Sequence, residues 1–111
     1  AHWQFFAECR RYYETERHIF LHANYAPTLP LDEQPDELLF WMHLMRIPAP
    51  HISGKQVIVG HTPQRSGKIL HAGHVICIDT YCCGDGCLTA YDVDTGEIWQ
   101  ADKSGLLLTT P

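Results

Sequence analysis

The sequence predicts a mixed α/β fold, and three features of the chain support this prediction. The first half alternates helical and extended patterns, the second half is a succession of short β-rich runs, and turns containing Pro or Gly interrupt both. The order helix, strand, helix and then several strands suits helices layered on a mixed sheet. With 111 residues, the chain is long enough for one domain at most.

The first half contains two predicted helices with a strand between them. Large residues recur at three- and four-residue spacing over residues 2–14, which predicts an amphipathic helix whose aromatic face packs on the core or, in a fragment, is left exposed. The apolar run at residues 17–22 predicts a buried strand. A second helix should start with Asp32 or Gln34 as its cap and Pro35 in its first turn. Its apolar face would consist of Leu38, Leu39, Trp41, Met42 and Met45.

The second half is predicted to consist of strands. Extended runs occupy residues 56–59, 74–80, 87–93 and 97–101. The turn sequence Asp94-Thr95-Gly96 separates the last two runs, which predicts that this strand-rich half ends in a β-hairpin.

Charge and composition exclude some classes of partner. The net charge is -5 and no basic cluster exceeds Arg10-Arg11, which argues against a nucleic-acid partner because binding to phosphate backbones needs a basic surface. No apolar run is long enough to cross a bilayer, so no membrane association is expected. Five cysteines are an odd number without a disulfide framework, and a reducing cytoplasmic location is therefore expected.

Three predicted strands end on a potential metal ligand, namely His22, His61 and Asp79. Ligands commonly bind beyond the carboxyl ends of strands in open α/β sheets, where side chains from neighbouring strands converge. Gly60 would let the backbone turn, and a neutral imidazole at position 61 can bind a divalent metal if its other nitrogen is held by an acceptor. A turn residue or a hydrogen-bonded core histidine remains the alternative for each histidine.

The remaining histidines and cysteines are weaker candidates for a site. The segment around Cys82, Cys83 and Cys87 lacks the paired C-x-x-C units of a zinc site, so buried or incidental thiols are favoured. His71 and His74 are interpreted as loop residues. Solvent-exposed or packing roles are expected for His2, His18, His43 and His51.

Four segments resemble, in order and spacing, the carboxyl-terminal half of bacterial serine/threonine protein phosphatases of the calcineurin-like metallophosphoesterase superfamily. They are I-F-L-H-A-N-Y at 19–25, V-I-V-G-H-T-P at 57–63, V-I-C-I-D-T-Y-C at 75–82 and L-T-A-Y-D-V-D-T-G-E-I-W at 88–99. The resemblance implies that residues 1–111 are a single partial domain. This would be part of a four-layer αββα sandwich, with two helices followed by a mixed, strand-rich half.

The resemblance also implies a function and a set of site residues. His22 and His61 would be ligands in a centre of two divalent metal ions, with Mn, Fe or Zn expected. The reaction would be hydrolysis of a phosphorylated protein or a small phosphoester by in-line attack of a metal-bridging water. Asp79 would form hydrogen bonds that shape the site rather than bind metal. Residues that shape the site would be Asn24, Gly60, Thr62 and Asp79.

Departures from the family pattern limit what this chain is expected to do. The family motifs G-D-x-H-G, G-D-x-x-D-R-G and G-N-H-E/D do not occur, so no catalytic residue is assigned and the chain alone should be inactive without the amino-terminal half of the domain. Met42 stands where many relatives carry a phosphate-contacting Arg, whose bidentate fork it cannot reproduce, and the substrate-binding residues are therefore unknown. Asn24 replaces a family Gly and could tolerate the same turn conformation. The alternatives are a symmetrical dinucleoside tetraphosphatase and a non-catalytic binding or interaction module.

Overall fold

A five-stranded mixed sheet forms the centre of the α+β fold in a computed structural model that describes residues 1–108. The strand order is β1-β2-β3-β5-β4, in which β2, β3 and β5 are parallel and the two edge strands are antiparallel to their neighbours. The strands are β1 (Tyr12–Glu14), β2 (His18–Leu21), β3 (Gln56–Val59), β4 (Leu70–His71) and β5 (Val75–Cys77).

The parallel strands are three apolar runs, of which the sequence predicted residues 17–22 as a buried strand and residues 56–59 and 74–80 as strands. Ile19, Val57 and Val75 lie side by side in register across β2, β3 and β5, and each is fully buried. Parallel strands are covered on both faces, so they need continuous apolar runs rather than an alternating pattern. Leu31 and Leu39, which lie between β2 and β3 in the chain, complete this core.

The second sheet is antiparallel and contains β6 (Leu88–Tyr91), β7 (Ile98–Ala101) and β8 (Leu107–Leu108). The predicted hairpin between β6 and β7 is confirmed. Asp92 accepts the backbone N–H groups of Asp94 and Thr95 at 2.9 and 3.2 Å, and Gly96 takes a φ of 80°. The predicted strands at 74–80, 87–93 and 97–101 are present but shorter, and the short strands β4 and β8 were not predicted.

The helix predicted over residues 2–14 is wrong beyond its first turns. Helix α1 (His2–Ala7) ends early, and β1 instead pairs antiparallel with β2 and forms one edge of the central sheet. Helix α1 contains no buried residue. Trp3, Phe5 and Phe6 are 86%, 67% and 65% exposed. Of the two predicted alternatives, the aromatic face is therefore exposed and does not pack on the core.

Helix α2 (Asp36–Phe40) is shorter than its apolar pattern suggested. Pro35 precedes it without a side-chain cap. The expected cap Gln34 instead closes the preceding loop, because its amide bonds both backbone groups of Ala26 and the Leu29 carbonyl at 2.7–2.9 Å. Only Leu39 of the predicted apolar face is buried, since the helix ends before the exposed residues Trp41, Met42 and Met45. Neither helix, within the described residues, has the length and apolarity required to cross a bilayer.

Candidate functional site

The candidate site lies at the carboxyl ends of the three parallel strands. His22 directly follows β2, His61 follows β3 after Gly60, and Asp79 follows β5 after Ile78. Strand pairing continues into this region, because the Gly60 N–H donates to the His22 carbonyl at 2.9 Å. The three positions singled out in the sequence therefore lie at one edge of the sheet.

The two histidines are in direct contact. His22 Nε2 lies 3.0 Å from His61 Nδ1, and the ring centroids are 4.7 Å apart. His61 Nε2 lies 2.9 Å from the Trp41 carbonyl oxygen, which can only accept a hydrogen bond. The proton of neutral His61 is therefore on Nε2, and Nδ1 presents a lone pair toward His22. A backbone acceptor on the far nitrogen is the arrangement typical of metal-binding histidines.

His61 takes a backbone conformation that is uncommon for its residue type. Its φ is 64°, and the Thr62 N–H donates to the Gly60 carbonyl at 2.7 Å, which closes a three-residue γ-turn. A left-handed conformation at a non-Gly residue costs about 1–2 kcal/mol. The positive φ of the turn lies at His61 and not at Gly60, where a Cβ would make only an ordinary contact 3.7 Å from the His22 oxygen.

Residues 41–44, here called the strap, run from the end of α2 across these strand ends. Each end of the strap is hydrogen-bonded to the turn after β3. The Leu44 N–H donates to the Thr62 hydroxyl oxygen at 2.8 Å, and the Trp41 carbonyl contacts His61 Nε2. Thr62, predicted to shape the site, thus fixes the position of the strap.

Asn24, which follows the end of β2, anchors the strap. Its side-chain amide donates to the His43 carbonyl at 3.3 Å and its oxygen accepts the Tyr25 N–H at 2.8 Å. Asn24 is buried and does not adopt a positive φ, so the expected turn conformation is not the reason for its presence.

His43 is a site neighbour that the sequence did not reveal. Its side chain is exposed, but its ring centroid lies 4.4 Å from that of His61 with a tilt of 36°. This packing agrees with the general expectation for His43, yet the contact with a candidate ligand was not predicted. No periodic signal marks the residue, because it lies in an irregular segment that reaches the strand ends only through tertiary contacts.

Asp79 forms hydrogen bonds that fix the turn after β5. Its carboxylate accepts the Tyr81 N–H at 3.1 Å and its carbonyl accepts the Gln64 N–H at 2.7 Å. The carboxylate also acts on His22, where its negative charge raises the imidazole pKa. This effect is outweighed by partial desolvation of the ring and then by the neighbouring His61, which together lower the pKa of His22. The lowered pKa favours the neutral imidazole, the form that binds metals.

The donor set fits part of a metal site. Two nitrogens can share an ion bound at ~2.0–2.1 Å only if they are within about 4 Å of each other, and the 3.0 Å separation meets this condition. Among residues 1–108, no group of three His, Cys, Asp or Glu side chains is arranged to hold an ion. The pair would thus contribute two ligands to a site and leave the others to be supplied from elsewhere.

Other histidines and the cysteines have separate surroundings. His51 is buried between the Leu29 carbonyl and the Ser53 hydroxyl, at 2.7 and 2.8 Å, which is a packing role. His74 Nε2 lies 2.7 Å from the Pro48 carbonyl oxygen. A cavity of about 340 Å³ beside Gly60 and Asp79 is also lined by free thiols. These belong to Cys82, Cys83 and Cys87, of which only Cys87 is buried.

Comparisons with known protein families, curated proteins and solved structures found no match to this chain. The resemblance to metallophosphoesterases therefore stays a proposal.

Proposed function

We propose that this chain is the carboxyl-terminal half of a metal-dependent phosphoesterase domain, with serine/threonine phosphoprotein phosphatase as its activity. The observation that supports this best is the contact between His22 Nε2 and His61 Nδ1 at the ends of two adjacent parallel strands. The Trp41 carbonyl on His61 Nε2 adds to it, because it places the proton of neutral His61 on Nε2 and leaves a lone pair on Nδ1, the nitrogen that faces His22. The four-layer αββα sandwich is part of the same proposal.

His22 and His61 would hold part of a centre of two divalent ions, Mn, Fe or Zn. When bound, such ions polarise phosphoryl oxygens and lower the pKa of a water molecule near the phosphorus. Two imidazoles fall short of the three protein ligands typical of catalytic zinc, so the remaining ligands must come from another segment of the domain. The chain alone would accordingly be inactive.

The proposed substrate is a phosphorylated protein or a small phosphoester. Met42 lies on the strap beside the site and is 44% exposed, but a thioether cannot grip phosphate as an Arg fork does. The phosphate must therefore be held by other groups. The five free thiols of the described residues suit a reducing compartment, and we propose a cytoplasmic location.

Metal binding can be tested on the chain itself. Titration with Mn²⁺, followed by NMR, should selectively broaden the ring signals of His22 and His61, with weak affinity because the ligand set is incomplete. His61→Ala should remove this effect, and the matched control His71→Ala, at an exposed histidine of β4, should preserve it. Broadening centred on other histidines would contradict the proposed ligand pair.

Activity can be tested in the complete gene product. His61→Ala should lower Mn²⁺-dependent hydrolysis of p-nitrophenyl phosphate at least roughly 100-fold while the circular dichroism spectrum stays unchanged. Wild-type turnover in this variant would refute the assignment. Release of nucleoside diphosphate from a dinucleoside tetraphosphate, without action on phosphopeptides, would favour the tetraphosphatase. Absence of any hydrolysis would favour the interaction module.

A further inference from the structure

The orientation of the His61 ring matters because its two nitrogens have different partners. Nε2 donates to the Trp41 carbonyl and Nδ1 faces His22. The torsion about Cβ–Cγ of histidine is broad and roughly two-fold, so the ring can turn over at little intrinsic cost. A half-turn would replace both nitrogens by carbons and break both hydrogen bonds. The two hydrogen bonds therefore select between the orientations related by a half-turn, and they last only while the plane of the ring stays close to its observed angle.

The surroundings of His61 provide few other constraints on the ring. The side chain is only half-buried, and its backbone already bears the strain of the γ-turn. The Trp41 carbonyl can accept from His61 only while the strap stays in place. Two side chains hold the strap backbone. The Thr62 hydroxyl oxygen accepts the Leu44 N–H at 2.8 Å, and the Asn24 side-chain amide donates to the His43 carbonyl at 3.3 Å.

We propose that His43 is a positioning residue that fixes the plane of the His61 ring. Its ring packs against the His61 ring with centroids 4.4 Å apart. Because His43 belongs to the strap, this contact joins the strap to the same side chain that donates its Nε2–H to the Trp41 carbonyl. The contact limits rotation of the His61 ring plane, which keeps Nε2 aligned with the Trp41 carbonyl and Nδ1 aligned with His22. The role depends on the flat shape of the His43 ring and not on hydrogen bonding, because among the described contacts neither His43 nitrogen bonds to His61.

The positioning role can be tested without metal, by long-range ¹H–¹⁵N NMR on the whole 111-residue chain. At a pH of about 8, where ordinary imidazoles are neutral, His61 should show a protonated Nε2 and an unprotonated Nδ1. In His43→Ala, the His61 ¹⁵N shifts should move toward the average of the two tautomers. In His43→Phe, which keeps a flat ring, they should stay as in the wild type.

Three results would overturn the proposal. They are a wild-type His61 protonated on Nδ1, an unchanged His61 pattern in His43→Ala, and a lost pattern in His43→Phe. If the Ala variant does not fold, His43→Ser, which also lacks a ring, replaces it, and an unchanged His61 pattern in His43→Ser would likewise overturn the proposal. His71→Ala should leave the pattern unchanged, as a control for removal of an exposed imidazole.

The consequence for metal binding rests on the proposed function and has its own readout. The apparent Mn²⁺ affinity at His22 and His61 should fall roughly 10-fold in His43→Ala and stay unchanged in His43→Phe, as for loss of a group that orients a ligand. If the ¹⁵N shifts behave as expected but Mn²⁺ broadens other residues, the positioning role stands and the phosphoesterase proposal fails. If Mn²⁺ binds at the pair with equal affinity in all three proteins, His43 does not position the ligand.

Discussion

At the scale of single residues, His61 combines an unfavourable backbone with a favourable side-chain position. The γ-turn directs the imidazole toward His22, and the Gly60 N–H bond to the His22 carbonyl fixes the distance between the two strand ends. A Gly or Asn would fit φ 64° at lower cost but would not provide the same imidazole. Strain at such a position indicates that the side chain, rather than the turn itself, is what the local structure serves.

The strain at His61 predicts an unusual order of stabilities. His61→Gly should be more stable than His61→Ala by about 0.5–1 kcal/mol, because the Cβ penalty at positive φ exceeds the entropy that Ala saves in the unfolded chain. Both variants lack the ring, so its contacts cancel in the comparison, which urea denaturation can measure. At His22, where φ is not positive, the order should reverse. An Ala variant at position 61 as stable as the Gly variant would show that the turn is unstrained.

The lowered pKa of His22 predicts a loss of stability in acid. The unfolded chain takes up a proton at this residue at a higher pH than the folded protein does. The contribution is therefore fully present above the unfolded pKa of about 6.5 and is lost as the pH falls through the lower folded pKa. His22→Gln should flatten the fall in the free energy of unfolding between about pH 7 and pH 5. His71→Gln serves as the matched control, and an equal effect in both variants would contradict the assignment to His22.

At the scale of elements, the strap decides which features of the site were predictable. The apolar runs of β2, β3 and β5 indicated three neighbouring strand ends, and this placed His22, His61 and Asp79 correctly at one edge. The His22 contact with His61 spans 39 positions of sequence and depends on a γ-turn that no residue type announces. The position of the strap depends on the end of α2 at Phe40 and on hydrogen bonds to individual backbone groups of residues 41–44, which the sequence pattern does not reveal. The aromatic spacing of residues 2–14 misled for a related reason, because pairing with β2 outweighs a helical pattern there.

The strap predicts a specific effect of Thr62→Val. This change removes the hydroxyl that accepts the Leu44 N–H while keeping a similar shape, so the free energy of unfolding should fall by about 1 kcal/mol. Hydrogen exchange at the Leu44 amide should accelerate more than at the core amide of Val57. Thr62→Ser keeps the acceptor and should preserve protection at Leu44. Unchanged exchange in the Val variant would mean that the strap is held without this bond.

At the scale of the whole molecule, the core is unevenly divided between the two sheets. The buried apolar cluster of the described residues runs from Ile19 to Cys77 and takes no member from β6, β7 or β8. Leu88 and Leu107 of the second sheet are mainly exposed, at 64% and 66%. Elements with few buried apolar contacts open at lower free energy than the core does. The second sheet should therefore open without unfolding of the first.

Two buried thiols report separately on these sheets. Cys77 lies in β5, between β3 and β4 of the first sheet, and is fully buried. Burial raises the pKa of its thiol, so it should react only on global unfolding. Cys87 precedes β6 and is covered by contacts with Thr80 and Gly67 that opening of the second sheet would break. Pulse alkylation with iodoacetamide at low urea, read by mass spectrometry, should label Cys87 several-fold faster than Cys77. The exposed Cys83 should react before either buried thiol in all conditions and gives the intrinsic rate. Equal labelling of Cys77 and Cys87 across the urea series would instead show that the two sheets unfold as one cooperative unit.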